Sequence, residues 1–180
     1  EHIHPIWSVD RQVFDEVDPT LLLRDDTCTS CHNTVDDMGM PMVPAAQMDL
    51  SDGPSADEPD HLKSYRELLF NDNRQVLDAN GVVIDELVQA TDDNGNPLFL
   101  LDADGVRVED LNGDPIPILV NVGVPPSLSV AGANFSPAFV DRLSASGTHA
   151  GRLSAAELKL IAEWIDIGGQ YYNNPFDVPQ

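Results

Sequence analysis

Cys28-Thr29-Ser30-Cys31-His32 is the one stretch of this chain whose residue types and spacing prescribe a specific chemistry. Two thiols one helical turn apart, followed at once by an imidazole, form the C-x-x-C-H pattern of covalent c-type haem attachment. The mechanics give each residue a task. Cys28 and Cys31 can form thioethers with the two vinyl groups on one porphyrin edge, while His32 reaches the iron as proximal ligand. These are the only two cysteines in 180 residues, too few for a disulfide scaffold. The competing readings are a local disulfide, a thioredoxin-type redox pair and half of a zinc site. Zinc needs further ligands at comparable spacing, and no second Cys pair exists. A thioredoxin-type pair expects a βαβ context, and none surrounds this motif.

The iron of a haem has a sixth position, and its occupant separates electron transfer from chemistry on a substrate. Met38, Met40, Met42 and Met48 crowd the loop after His32, and His2, His4, His61 and His149 are the other imidazoles. A Met-rich loop beside a flat ring is often packing alone, because a thioether fills irregular gaps. Met42, between Pro41 and Pro44, is the best-placed methionine for ligation. His149 stands in a Gly-bounded turn before the last helix, where a scaffold can present a loop residue; the plain alternative is a surface histidine. His61, after Asp57-Glu58-Pro59-Asp60, reads as a solvated helix-start residue.

Upstream of the motif, Ile6, Val9, Val13, Phe14 and Val17 recur at roughly helical spacing, so Pro5 to Arg24 is expected to be mostly helical. Met38 to Pro59 has no period and is expected to be a loop that wraps something; a short helix over about 61–70 follows. Residues 71–122 differ. Short apolar runs are separated by Asp78-Ala79-Asn80-Gly81, Asp92-Asp93-Asn94-Gly95, Asp102-Ala103-Asp104-Gly105 and Leu111-Asn112-Gly113-Asp114, all strong hairpin signals. Downstream, Ser136 as N-cap and Pro137 at the first helical position predict a helix to about Leu143. Ser154-Ala155-Ala156-Glu157 forms a capping box for a final helix with Leu158, Ile161, Ala162 and Ile165 on its apolar face and Gly168-Gly169 at its end.

The chain carries 31 Asp+Glu against 9 Lys+Arg, a formal charge of −22. That excludes nucleic acid as a partner, because phosphate binding needs clustered cations. A hydrophobic fraction of 42% over this length predicts one globular domain, residues 1–180, with 71–122 as a β-rich acidic insertion. No apolar run approaches the ~20 residues of a membrane span. The chain starts at Glu1 rather than Met, as expected of a soluble, mature or excised piece of a larger multidomain protein. Asp102, Asp104, Asp110 and Asp114 also raise Ca²⁺ as a second ligand, although no complete twelve-residue Ca²⁺ loop is present.

Cys28 to His32, Gln47 to Ser51, Ser64 to Leu69 and Leu153 through Asn173 together resemble the cytochrome c domains related to the α-subunit of hydrazine synthase. Related domains are joined to carbohydrate-binding modules in secreted proteins of polysaccharide-degrading bacteria. The resemblance covers both ends of the chain but not clearly the insertion. It implies a histidine shortly before the last helix as distal ligand, the place His149 occupies. The catalytic haem domain of that family instead has a tyrosine four positions after the proximal histidine; here that position is Asp36. The resemblance is therefore to the electron-carrying type.

The expected fold is a mainly α c-type cytochrome domain with a small antiparallel β-hairpin insertion. The expected function is single-haem electron transfer rather than enzymatic turnover, with one covalent haem c held by Cys28 and Cys31 and with His32 and His149 as axial ligands. Met42 is the alternative distal ligand. Haem attachment outside the cytoplasm places such a chain in the bacterial periplasm or medium. The resemblance implies a secreted redox partner such as a copper lytic polysaccharide monooxygenase. Two rival readings are a haem enzyme with an open sixth position, peroxidase-like or acting on nitrogen compounds, and a haem-stabilised binding module that uses the insertion as contact surface.

Overall fold

The computed structural model describes residues 2–171; Tyr172 and Asn173, the end of the stretch that carries the resemblance, lie outside them. Within that range the expectation of a mainly α fold is overturned. Four α-helices, α1 His4–Ser8, α2 Lys63–Leu69, α3 Pro137–Leu143 and α4 Ala155–Asp166, are matched by eight short strands in four two-stranded sheets. Only α4, at 12 residues, is longer than two turns.

Two local causes account for the correction. The first lies before the motif, where helical periodicity gives way after α1 to an antiparallel hairpin of β1 Gln12–Phe14 with β2 Leu22–Asp25. The carboxylate of Asp10 accepts from the Gln12 N–H, that of Asp15 from Val17 and Asp18, and that of Asp18 from Thr20. Such Asp-to-backbone bonds compete with helix formation. Val13, Phe14 and Leu22 suit a pleated strand as well as a helix face.

The second cause is the insertion, which is larger and more branched than one small hairpin. Its ladders are β3 Asp72–Asn73 with β8 Gly123–Val124, β4 Gln75–Leu77 with β5 Val83–Asp85, and β6 Leu87–Gln89 with β7 Leu119–Asn121, all antiparallel. Where they meet, three backbone hydrogen bonds close a ring: Glu86 N–H to Arg74 carbonyl, Arg74 to Val122 and Val122 to Glu86. The same ring recurs at Ala90, Leu98 and Ile118, and again at Leu100, Val108 and Ile116. Each ring is a three-way junction, so the chain branches outward and ends in four tight tips. At each tip Asp78, Asp92, Asp102 or Asp110 accepts from the N–H groups two and four residues on. The fourth tip residue, Gly81, Gly95, Gly105 or Gly113, has φ between 77° and 86°, which a side chain would oppose. No residue of 71–122 is buried. Backbone pairing rather than a core holds this part together.

The core belongs to the remainder. Ile6 and Trp7 of α1, Met48 and Leu50 of the loop, Leu68 and Leu69 of α2, Leu128, Leu153, and Ile161, Trp164 and Ile165 of α4 form one cluster. The α4 capping box forms as expected, with Ser154 accepting from the Glu157 N–H and the Glu157 carboxylate accepting from the Ser154 N–H. Ser136 does precede α3, but its hydroxyl donates to the Gly132 carbonyl and accepts from the Ser129 N–H, so it does not cap.

Candidate functional site

A cleft opens between the Cys28–His32 segment and the turn before α4. Its lining includes Trp7, Cys28, His32, Met48, Leu50, Phe139, Leu143, His149 and Leu153. Two cations, Arg142 and Arg152, complete the rim beside His149.

The proximal side is built by a tight turn. Cys28–Ser30 forms a single 3-10 turn in which the Cys28 carbonyl accepts from the Cys31 and His32 N–H groups, at 3.3 and 2.9 Å. The His32 carbonyl then accepts from Leu50, and the Cys31 carbonyl from Ala45, so the loop after the motif folds back over it. This is the wrapping loop that the Met- and Pro-rich composition predicts. Ala46, which lines the cleft, and Gln47 both have positive φ, 56° and 61°. A left-handed non-Gly residue costs about 1–2 kcal/mol, so packing holds this bend against local preference. Gln47 also accepts from the Gln75 N–H through its side-chain oxygen, tying the loop to the root of the insertion.

His32 is buried, and its Nδ1 makes no hydrogen bond of ordinary geometry. Burial draws its pKa below the usual imidazole value, the backbone of Ala45 and Met48 opposes that shift, and His149 reinforces it. Burial also raises the Cys28 thiol above its usual range, against the pull of Arg11 and Arg152. Both thiols are free; Cys28 lines the cleft, whereas Cys31 is exposed and does not.

The opposite wall is the turn from Ser144 to Arg152. The His149 N–H donates to the Arg142 carbonyl at 2.8 Å, and the His149 carbonyl accepts from Arg152. Gly147 sits against the end of α3 so closely that a Cβ there would lie 2.2 Å from the carbonyl oxygens of both Asp141 and Arg142. His149 Nδ1 is 2.9 Å from the Thr148 hydroxyl, which leaves Nε2 as the nitrogen without that contact. Burial, then Arg152 and Arg142, lowers its pKa and favours the neutral form.

The ring centres of His32 and His149 are 6.2 Å apart. A metal–imidazole bond is about 2.0–2.1 Å and the ring centre lies about 1.1 Å further out, so two imidazoles sharing one metal in line have centres about 6.3 Å apart. The observed separation, with the rings tilted by 35°, matches that spacing. Apolar walls and a cysteine in the lining suit a flat, thiol-tethered macrocycle around a shared metal.

The other sequence candidates fall elsewhere. Met42 is half-buried in the loop with its N–H on the Thr34 carbonyl, and it does not line the cleft; Met48 does. His61 packs against Tyr65 and Tyr171, and His4 bridges Ser64 and Asp52. His2 lines a second pocket, formed by α1, α2 and α4. Asp36 spends its carboxylate on the N–H groups of Met38 and Met40. Among the described residues no group of three or more His, Cys, Asp or Glu could hold a metal ion, and of the tip carboxylates considered for Ca²⁺ those of Asp102 and Asp110 accept from the N–H groups of their own turns.

Sequence reasoning did not assign Trp7, Leu50, Phe139, Leu143 or Leu153 to the site, since an apolar wall residue carries no mark that distinguishes it from core. Arg142 and Arg152 did carry a signal. Two of only nine cations bracket His149. No family model matches the chain, and neither a curated protein nor a solved structure matches it.

Proposed function

We propose that this chain is a single-haem c-type electron-transfer domain, with the porphyrin tethered by Cys28 and Cys31 and its iron held by His32 and His149. The observation that carries the reading is the pair of imidazoles with ring centres 6.2 Å apart in the lining of an apolar cleft whose wall includes a cysteine of the C-x-x-C-H motif. When bound, the haem supplies reversible one-electron chemistry. The protein's contribution is to keep both axial positions filled. His32 is fixed by the turn that follows Cys28, and His149 by a turn bonded to the end of α3. With both positions occupied there is little rearrangement between oxidation states and no open coordination site for a substrate. Two imidazoles, without a thioether, also favour a lower potential than a His/Met pair.

The partner proposed for this domain is a secreted redox protein, such as a copper lytic polysaccharide monooxygenase, met in the periplasm or outside the cell. The −22 charge would speed encounter with a basic partner. The association rate should then fall steeply as salt shortens the Debye length from about 30 Å at 0.01 M to about 10 Å at 0.1 M. A rate that stays flat assigns the acidity to solubility alone.

The deciding experiment is expression with haem-maturation machinery, followed by acid–acetone extraction and spectra of the oxidised and reduced forms with and without carbon monoxide. Retained haem, a low-spin six-coordinate spectrum and no carbon monoxide uptake support the reading. A five-coordinate spectrum would replace it with a haem enzyme, and an apo-mass with no haem would remove both.

A further inference from the structure

Six of the nine Lys and Arg side chains are paired with carboxylates: Arg11, Arg24, Lys63, Arg74, Arg152 and Lys159. Arg66 and Arg107 instead lie 4.1 and 4.6 Å over the rings of Phe70 and Phe99. Arg142 alone has neither kind of partner among the described residues, and it lines the cleft next to His149. In a chain with 31 carboxylates, the exposed guanidinium at the edge of this apolar cleft is left without one among the described residues and is free to pair with an anionic group of the cleft's occupant. Its backbone is fixed there, because the Arg142 carbonyl accepts from the His149 N–H. Arg152, the second rim cation, already shares the buried Asp26 with Arg24.

We propose that Arg142 binds the carboxylate-bearing edge of the porphyrin, its guanidinium fork taking one propionate in a charge-assisted pair. This rests on the haem reading above and adds to it the orientation of the ring: vinyl edge at Cys28 and Cys31, propionate edge towards α3. Lys could supply the charge at this place but not the two parallel donors.

The test compares haem-loaded wild type with Arg142→Gln and Arg142→Lys by resonance Raman spectroscopy, which reports the propionate bending mode, and by redox titration. Arg142→Gln should keep the covalent haem and the low-spin spectrum, shift the propionate mode and lower the midpoint potential, because a nearby cation stabilises the reduced iron. Arg142→Lys should return most of the potential while leaving the propionate mode shifted. An unshifted propionate mode in Arg142→Gln overturns the proposal even if the potential falls, since removing any cation near the iron lowers it. Should Arg142→Gln fail to load haem, an unshifted mode in Arg142→Lys overturns the proposal equally. Wild type that carries no haem overturns the haem reading itself, so the two failures are distinct.

Discussion

At the scale of single residues, the role of His149 can be tested by removing its ring. On the proposed ligation, His149→Ala removes one of the two iron-binding imidazoles and leaves Cys28, Cys31 and His32 in place. The variant should keep its haem, become high-spin or water-ligated, and take up carbon monoxide readily by absorption spectroscopy. Met42→Leu, a near-isosteric change outside the cleft, should leave the spectrum unaltered. A sulfur-to-iron charge-transfer band in oxidised wild type, lost in Met42→Leu, would give the position to Met42 instead. Ala46 offers a second test, of strain rather than ligation. At φ 56° it occupies a conformation that glycine adopts freely. Ala46→Gly should leave stability unchanged or raise it by up to about 1 kcal/mol, whereas β-branched Ala46→Val should lower it by about 1–2 kcal/mol, read from denaturant midpoints.

At the scale of elements, the turn between α3 and α4 sets the cleft. Its geometry depends on Gly147, where the restriction is close approach rather than φ: a Cβ would meet two backbone carbonyls that cannot swing away as a side chain could. Gly147→Ala should therefore cost about 1–3 kcal/mol and displace His149, giving a partly high-spin spectrum without any change in a ligand residue. A fully low-spin Gly147→Ala would show that the turn adapts. The insertion contrasts with this. Its Asp-x-Asx-Gly tips were legible because each tip is a local event: one carboxylate accepting two N–H groups of its own turn and one glycine at positive φ. The Pro5–Arg24 segment departs from its helical periodicity for a related reason. Its apolar spacing suits a helix, but Asp10, Asp15 and Asp18 bind nearby backbone and favour turns.

At the scale of the whole molecule, Glu67 links α2 to the root of the insertion and makes stability depend on pH. Burial, with Asp72 and Asp49 nearby, pushes its carboxyl up to about 8 from 4.5, and its buried Oε2 has no hydrogen-bond partner. Between those two values the folded chain holds a proton that the unfolded chain has released, so this group makes stability fall as pH rises from about 4.5 to about 8. In the haem-loaded protein, wild type should lose stability across that interval relative to Glu67→Gln, with the two curves parallel above it. Parallel curves throughout would place the Glu67 proton in both states or in neither.

The sequence by itself determined the spacing of two thiols and an imidazole at Cys28, Cys31 and His32, the capping box and apolar face of α4, and the tips of the insertion. All of these depend on groups within about five residues of one another, where spacing is geometry. Only the tertiary structure decided the rest. The balance of helix and strand turned on whether short apolar runs pair with partners close in the chain, as at β1 and β2, or distant in it, as at β3 and β8, which periodicity does not encode. Which of several histidines and methionines faces His32 turned on a contact across 117 residues of chain, made by the packing of α1, α2 and α4 around one core and by a close approach at Gly147. Such a contact exists only once the chain has closed on itself, because nothing in the residues around His149 specifies what stands opposite.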